Sequence, residues 1–449
     1  MKPSTQQLPV LYRTVPRNRL LFFAAIVLPF ALIVPVTSSA VAQISFIVFG
    51  LIAIVDAWIG NSRKGSVRVV LPAVLRLSKD RDGFLPLRIQ NPDQTARRIR
   101  IGLPFPLEVE SPSYAQSVQL PQGSEYSHFE WPCKGIERGK YRLSHCYVEY
   151  ISPLGLWNLR SVQSAECELR VYPNLLEERK KLASRFLNRD EYGSHSRKMV
   201  GQGREFEKLR EYVPGDAYDQ LHWKATAKRG RPITKVFQIE RTQEVYVIVD
   251  FSRRSARQVN HETTLEFFLR SALILGMVAQ QQGDLFGVMT LSNRVHGFLR
   301  AGNGKAHYHA CRDLLYTLQP QLVTPDYEDL FSFVRLRLRR RALLIVLTDL
   351  NDPMLAESFV NSASLVARHH LLLVNMIRPE GALALFENAN VNSVDSLYER
   401  LSGHIVWENL KDLRNVLHRY GIPLSQLHLS NMSVELVNQY FAVKERQLL

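Results

Sequence analysis

The second half of this chain carries apolar runs too continuous for strands with one wet face. Glu244 to Val249 (EVYVIV), Leu285 to Leu291 (LFGVMTL), Ala342 to Thr348 (ALLIVLT) and His370 to Met376 (HLLLVNM) lack the alternation of a half-exposed sheet. Such strands are buried on both faces, which requires a largely parallel sheet with helices on each side. Helix-patterned segments separate them, at Thr263–Gln282, Lys305–Leu318, Tyr327–Leu338 and Met354–Arg368, and a shorter strand is expected at Arg294–Leu299. A helix at Trp407–Arg419, a strand at Leu424–Leu429 and a helix at Val434–Arg446 complete the pattern. The expected fold class of residues 200–449 is therefore α/β, a doubly wound sheet. Ligands of such sheets bind outside the carboxyl ends of the strands, and two of those ends carry aspartates, Asp250 in DFSRRS and Asp349 in LTDLND.

Two other apolar runs stand near the start, at Leu20–Val36 and Ile44–Ile59. With flanking residues each reaches about the 20 residues a helix needs to cross hydrocarbon. Lys2, Arg13, Arg17 and Arg19 precede the first run and Arg63, Lys64 and Arg68 follow the second, while the link around Thr37–Ala40 is uncharged. Cationic flanks stay cytoplasmic, so residues 1–65 are expected to form a tail and a transmembrane hairpin with both ends inside a bacterial inner (cytoplasmic) membrane. Ala40-Val41-Ala42 also has the look of a signal-peptide cleavage site, but the second run would still hold the chain. Asp56, near the inner end of that run, reads as interfacial. The balance of 57 Lys and Arg against 42 Asp and Glu, a net +15, suits an anionic lipid surface. The basic cluster Arg335–Arg341 suits a helix C-terminus, lipid headgroups or an acidic partner, and no nucleic-acid recognition motif accompanies it.

Between these parts, residues 66–175 alternate at period two, with turn signals about every 8 to 15 residues, and read as an antiparallel β-sandwich. Trp131, Trp157, Tyr147 and Tyr150 serve packing there. Residues 176–199, polar and helix-prone, read as a linker or a surface helix. Cys133, Cys146, Cys167 and Cys311 have no metal-ligand or redox spacing and read as buried thiols in a reducing compartment.

Gly201 to Asp250 joins the β-rich part to the first buried strand. Glu205, Phe206, Leu209 and Tyr212 fall near helical spacing, and Pro214-Gly215-Asp216 is a turn. Asp216 and Asp219 are expected to form a partly buried ionic network with Arg210, Lys224 and Arg229, covered by Trp223. Gly201-x-Gly203 lacks the third glycine of a dinucleotide fingerprint, since Phe206 stands there, and the loop Gly302–Ala306 (GNGKA) lacks the residues of a phosphate loop. His369-His370 opens an apolar strand and reads as structural.

The run Gly201, Gly203, Glu205, Phe206, Leu209, Arg210, Tyr212, Gly215 and Asp216, followed by Trp223, Lys224 and Ala227 and a strand ending in aspartate, resembles the signature of the domain of unknown function 58 family. That resemblance implies a domain related to the von Willebrand factor A fold, and partnership with a MoxR-type AAA+ ATPase. It also implies a divalent-cation site of the Asp-x-Ser-x-Ser type, completed by a threonine and a second aspartate, whose hard oxygen ligands suit magnesium. Asp250, Ser252 and Asp349 match, Arg254 replaces the second serine, and Glu328 stands near the expected threonine. Ser255 is a displaced substitute oxygen, and Arg254 offers a cation in place of the metal. The function expected is that of a non-catalytic, membrane-anchored interaction module working with the ATPase in assembly or maturation of other proteins. The alternatives are a metal-gated binding module and an enzyme using Glu205, Asp216, Asp219 and His222 as an acid–base cluster.

Overall fold

A computed structural model describes residues 13–33, 39–62, 67–187, 200–213, 218, 221–238, 243–259, 261–384 and 394–446. Contacts divide the chain into two units, Met1–Asn174 and Leu175–Leu449. In the first, β1 (Arg13–Pro16) precedes helices α1 (Asn18–Ile33) and α2 (Ser39–Ser62). Then come β2 (Arg68–Val70), β3 (Val74–Ser78), β4 (Asp82–Gln90), β5 (Arg97–Gly102), β6 (Val109–Glu110), β7 (Ala115–Leu120), β8 (Tyr126–Gly135), β9 (Gly139–Ile151) and β10 (Trp157–Tyr172).

These strands form two sheets, β1-β10-β9-β5-β7 with β3 beside β10, and β2-β4-β8-β6. Pairing is antiparallel apart from β3 on β10. Period-two alternation sends Leu85, Leu87 and Ile89 of β4 and Val148 and Tyr150 of β9 into one shared core with Trp131. The Trp131 indole N–H, wholly buried, donates to the Ser111 hydroxyl at 2.9 Å, which offsets its desolvation. Tyr147, by contrast, is exposed and bonds His145.

The two N-terminal apolar runs do form helices. α1 is only 16 residues long, and among the described residues no helix is long and apolar enough to cross a membrane. The structure thus gives a helix pair where the sequence predicts two crossing spans. Asp56 also differs from its expected interfacial place, being buried with a carboxylate that accepts from the Ser152 hydroxyl at 2.6 Å and the Leu154 N–H at 2.9 Å. The Trp157 indole returns a bond to the Ala53 carbonyl at 2.8 Å, and Gly60 passes so near Leu159 that a Cβ there would lie 2.6 Å from its Cδ1. One face of α2 is therefore fastened to the sandwich at the turn between β9 and β10. On its other side Ile47, Leu51, Ile54 and Trp58 are exposed.

The second unit opens with α3 (Leu176–Leu187), β11 (Val200–Glu211), α4 (Trp223–Arg229), β12 (Ile233–Gln238) and β13 (Glu244–Asp250). It continues through the short pair β14 (Gln258–Val259) and β15 (Glu262–Thr263), α5 (Thr264–Gln281), β16 (Leu285–Leu291), β17 (Val295–Gly302), α6 (Lys305–Leu315) and α7 (Tyr327–Arg337). It ends with β18 (Leu343–Leu347), α8 (Pro353–Val366), β19 (Leu371–Ile377), α9 (Val394–Arg419), β20 (Leu424–Leu427) and α10 (Met432–Glu445). The main sheet runs β17-β16-β13-β18-β19-β20, parallel except for β17 at one edge.

Alternate residues of each strand enter opposite cores. Val245, Val247 and Val249 pack with α5 and α10, while Tyr246 and Ile248 pack with α7 and α8. Burial on both faces explains the continuous apolar runs. The residues read as a linker instead begin with a docked helix: Leu182 of α3 enters the core and Glu178 pairs with Arg270 of α5 at 3.2 Å.

All four cysteines are buried and unpaired. Burial pushes their thiols up to about 11 for Cys133 and Cys167 and about 12 for Cys146 and Cys311, so none is a thiolate nucleophile at neutral pH.

Candidate functional site

The chain leaves β13 to form α5 and β16 on one side, then returns to place β18 on the other side of β13. The sheet order reverses there, which opens the rim at the carboxyl ends of those two strands. Asp250 closes β13 and Asp349 lies just beyond β18, so the fold brings together the two aspartates that the sequence singles out.

Asp250 is the inner group. It is buried; one carboxylate oxygen accepts from the Thr348 hydroxyl at 2.6 Å and the other from the Ser252 N–H at 2.8 Å. Since the single Thr348 hydroxyl proton goes to Asp250, the Tyr327 hydroxyl 2.9 Å away donates to Thr348. Burial raises the Asp250 carboxyl above its ordinary value, and the Thr348 and Ser252 bonds oppose that rise. Burial likewise raises the Tyr327 phenol well above its usual range.

Asp349 is the outer group. Its Oδ1 accepts from the Asn351 N–H at 2.9 Å and from the Asn351 side-chain amide at 2.5 Å. The Arg254 guanidinium stands 3.3 Å from each of its two oxygens. Ser252 is buried, and its hydroxyl faces Asp250 and helps hold that carboxyl down without reaching hydrogen-bond geometry, whereas the Ser255 hydroxyl donates to the Ser252 carbonyl at 2.7 Å.

The cation site implied by the von Willebrand A resemblance does not fit this donor set. Ser255 is turned to the backbone, Arg254 brings a positive charge to Asp349, and Glu328, which stands near the expected threonine in the sequence, is exposed on the first turn of α7. Among the described residues no group of three or more His, Cys, Asp or Glu side chains is placed to hold a metal ion. Thr348 and Tyr327, which hold Asp250, are not among the residues the sequence reading picks out. Their signal is faint, since a threonine at the end of an apolar strand and a tyrosine opening a helix both read as packing.

The signature takes a different form from the expected one. Gly201, Gly203, Glu205, Phe206 and Arg210 lie on β11, which pairs with β12 as an antiparallel hairpin, so the segment is a strand and not a helix. Tyr212 stacks on Tyr218, with ring centres 6.1 Å apart. His222 caps α4, its Nδ1 accepting from the Ala225 N–H at 3.0 Å, which commits that nitrogen to architecture. Lys224 is exposed, and Trp223, expected to cover an ionic network, is itself 70% exposed. Gly215, Asp216 and Asp219 lie outside the described residues, as do the contacts expected of them. The basic cluster ends α7, where Arg335 and Arg337 meet the negative end of the helix dipole.

Residues 208–388 match the family model described as "Protein of unknown function DUF58". No curated protein matches the chain. Among solved structures, the chain is similar to an aerotolerance-related membrane protein from Bacteroides fragilis NCTC 9343, at 16% identity and a TM-score of 0.30, covering 44% of this chain and 97% of that one. A protein of unknown function from Porphyromonas gingivalis W83 aligns at 17% identity and a TM-score of 0.18, over 24% of this chain and 49% of its own. The SpRpn10 VWA domain aligns at 9% identity and a TM-score of 0.27, over 44% and 95% respectively.

Proposed function

From the premise that residues 208–388 are a segment of the DUF58 family, we propose that the chain is a protein-interaction module held at a membrane. The observation that carries the docking part is the signature hairpin, on which Trp223 is 70% and Tyr218 76% exposed. Large aromatics left in water are costly and are the residue types that anchor protein interfaces. Support for the membrane part comes from α2, whose outward face offers Ile47, Leu51, Ile54 and Trp58 to the surroundings. The unit that bears the signature takes the von Willebrand A-like arrangement, and the partner proposed for it is a MoxR-type AAA+ ATPase acting in assembly or maturation of other proteins. The reading is non-catalytic.

The test is affinity capture of the full chain from detergent-solubilised membranes. An AAA+ ATPase should be recovered with it, and a Trp223→Ala, Tyr218→Ala double variant should lose roughly ten-fold or more of that recovery while melting as the parent does, because hot-spot aromatics are worth about 2 kcal/mol each. Repeated capture without any ATPase would sink the partner assignment.

A further inference from the structure

We infer that the Arg254 guanidinium takes the place of a divalent cation at the rim of the second unit, so that the Asp250–Asp349 site is assembled without metal. Two carboxylates converge at the ends of β13 and β18, and a site of that kind must be balanced by positive charge or hydrogen bonds. Both means are present in the protein itself. The inner carboxylate of Asp250 is held at both oxygens, by the Thr348 hydroxyl and the Ser252 N–H. The outer carboxylate of Asp349 is held by Asn351 and faced by Arg254, 3.3 Å from either oxygen.

Arg254 is fixed for this work by its place in the chain. It lies in the single 3-10 turn Arg253–Ala256 that follows β13, and the Ser255 hydroxyl ties that turn to the Ser252 carbonyl. The guanidinium therefore occupies the sequence position whose serine oxygen would face a metal in the implied ligand set. A bound cation would meet a like charge there and would also lack that oxygen. Hard cations such as magnesium depend on several oxygen ligands and near-ideal geometry, and this rim supplies neither the number nor the charge. The Arg254 side chain remains 29% exposed, so the built-in cation is still presented to solvent at the rim. The inference does not depend on which partner docks on the hairpin.

The test uses the full chain in detergent. Calorimetric titration with manganese and magnesium chloride should show no saturable heat, and the unfolding midpoint should be the same in millimolar manganese as in chelator. Saturable binding that Asp250→Asn or Asp349→Asn abolishes would overturn the inference. Arg254→Ala should lower the midpoint by roughly 5 °C, with Arg254→Lys, which keeps the charge but not the planar fork, falling between it and the parent. In an Asp349→Asn background the same Arg254→Ala change should cost less than half as much, because the charge it served is gone. An equal loss in both backgrounds would also refute the substitution of arginine for metal.

Discussion

At the scale of single residues, the chain shows why a charge in an apolar run need not mark an ion path or an interface. Asp56 is 1% exposed, yet the Ser152 hydroxyl and the Leu154 N–H satisfy its carboxylate. No sequence spacing announces partners almost a hundred residues away, so this role was not legible, whereas the Asp250–Asp349 pair was, because strand ends can be counted. Asp56→Ala should leave those donors orphaned and cost about 2–4 kcal/mol, read as a lower urea midpoint for the first unit. Asp56→Asn, which keeps an acceptor, should lose less. Asp250 carries a prediction about pH. Its folded pKa is raised above the ordinary 3.8 by burial, so its favourable contribution is complete below 3.8 and is lost as pH rises through the folded value. The difference in stability between Asp250→Asn and the parent should therefore move in favour of the variant as pH climbs from acid to neutral. A flat difference in denaturation midpoints across that range would mean that the aspartate is not perturbed.

At the scale of elements, legibility followed burial. The strands β13, β16, β18 and β19 were readable because both faces are dry and their runs stay apolar apart from single buried polar residues such as Thr290 and Asn375. β11 was not, because Glu205, Phe206, Leu209 and Tyr212 satisfy a helical spacing by coincidence while Leu209 is in fact exposed. α9 begins at Val394, well before the expected Trp407, and its first half bears exposed Tyr398, Leu401 and Ile405, so no burial pattern marked where it starts. α3 reads as a linker or a surface helix because Leu182 is the one buried apolar side chain among its described residues; the Lys181 ammonium donates to the Ser430 carbonyl at 2.9 Å, and ion pairs add to that hold. Arg270 pairs with Glu178 at 3.2 Å and with Glu262 at 2.6 Å, and all three side chains are largely shielded. Removing one member of such a group leaves an uncompensated charge. Arg270→Met should accordingly raise amide exchange through α3 at least ten-fold and lower stability by about 2–3 kcal/mol, while Lys180→Met on the exposed side should do neither.

At the scale of the whole molecule, the chain is two units with separate cores, and the membrane proposal rests on one surface of the first. The inward face of α2 is committed to the sandwich through Ala53, Asp56 and Gly60, so the outward face can be altered without touching that packing. This separation makes attachment and folding independently testable. Serine at Ile47, Leu51 and Ile54 removes apolar area at about 25 cal/mol per Å², enough to weaken any lipid contact, yet leaves the Asp56 and Trp157 bonds in place. The full parent chain should stay with the membrane fraction through alkaline carbonate washing, and the triple serine variant should shift substantially to the wash with its denaturation midpoint unchanged. Asp56→Ala should give the converse, retained by the membrane but with a loosened sandwich that proteases cut more readily. If the parent chain itself leaves with the wash, the exposed face of α2 belongs to a protein partner and the membrane reading fails, while the structural role of Asp56 stands on its own measurement.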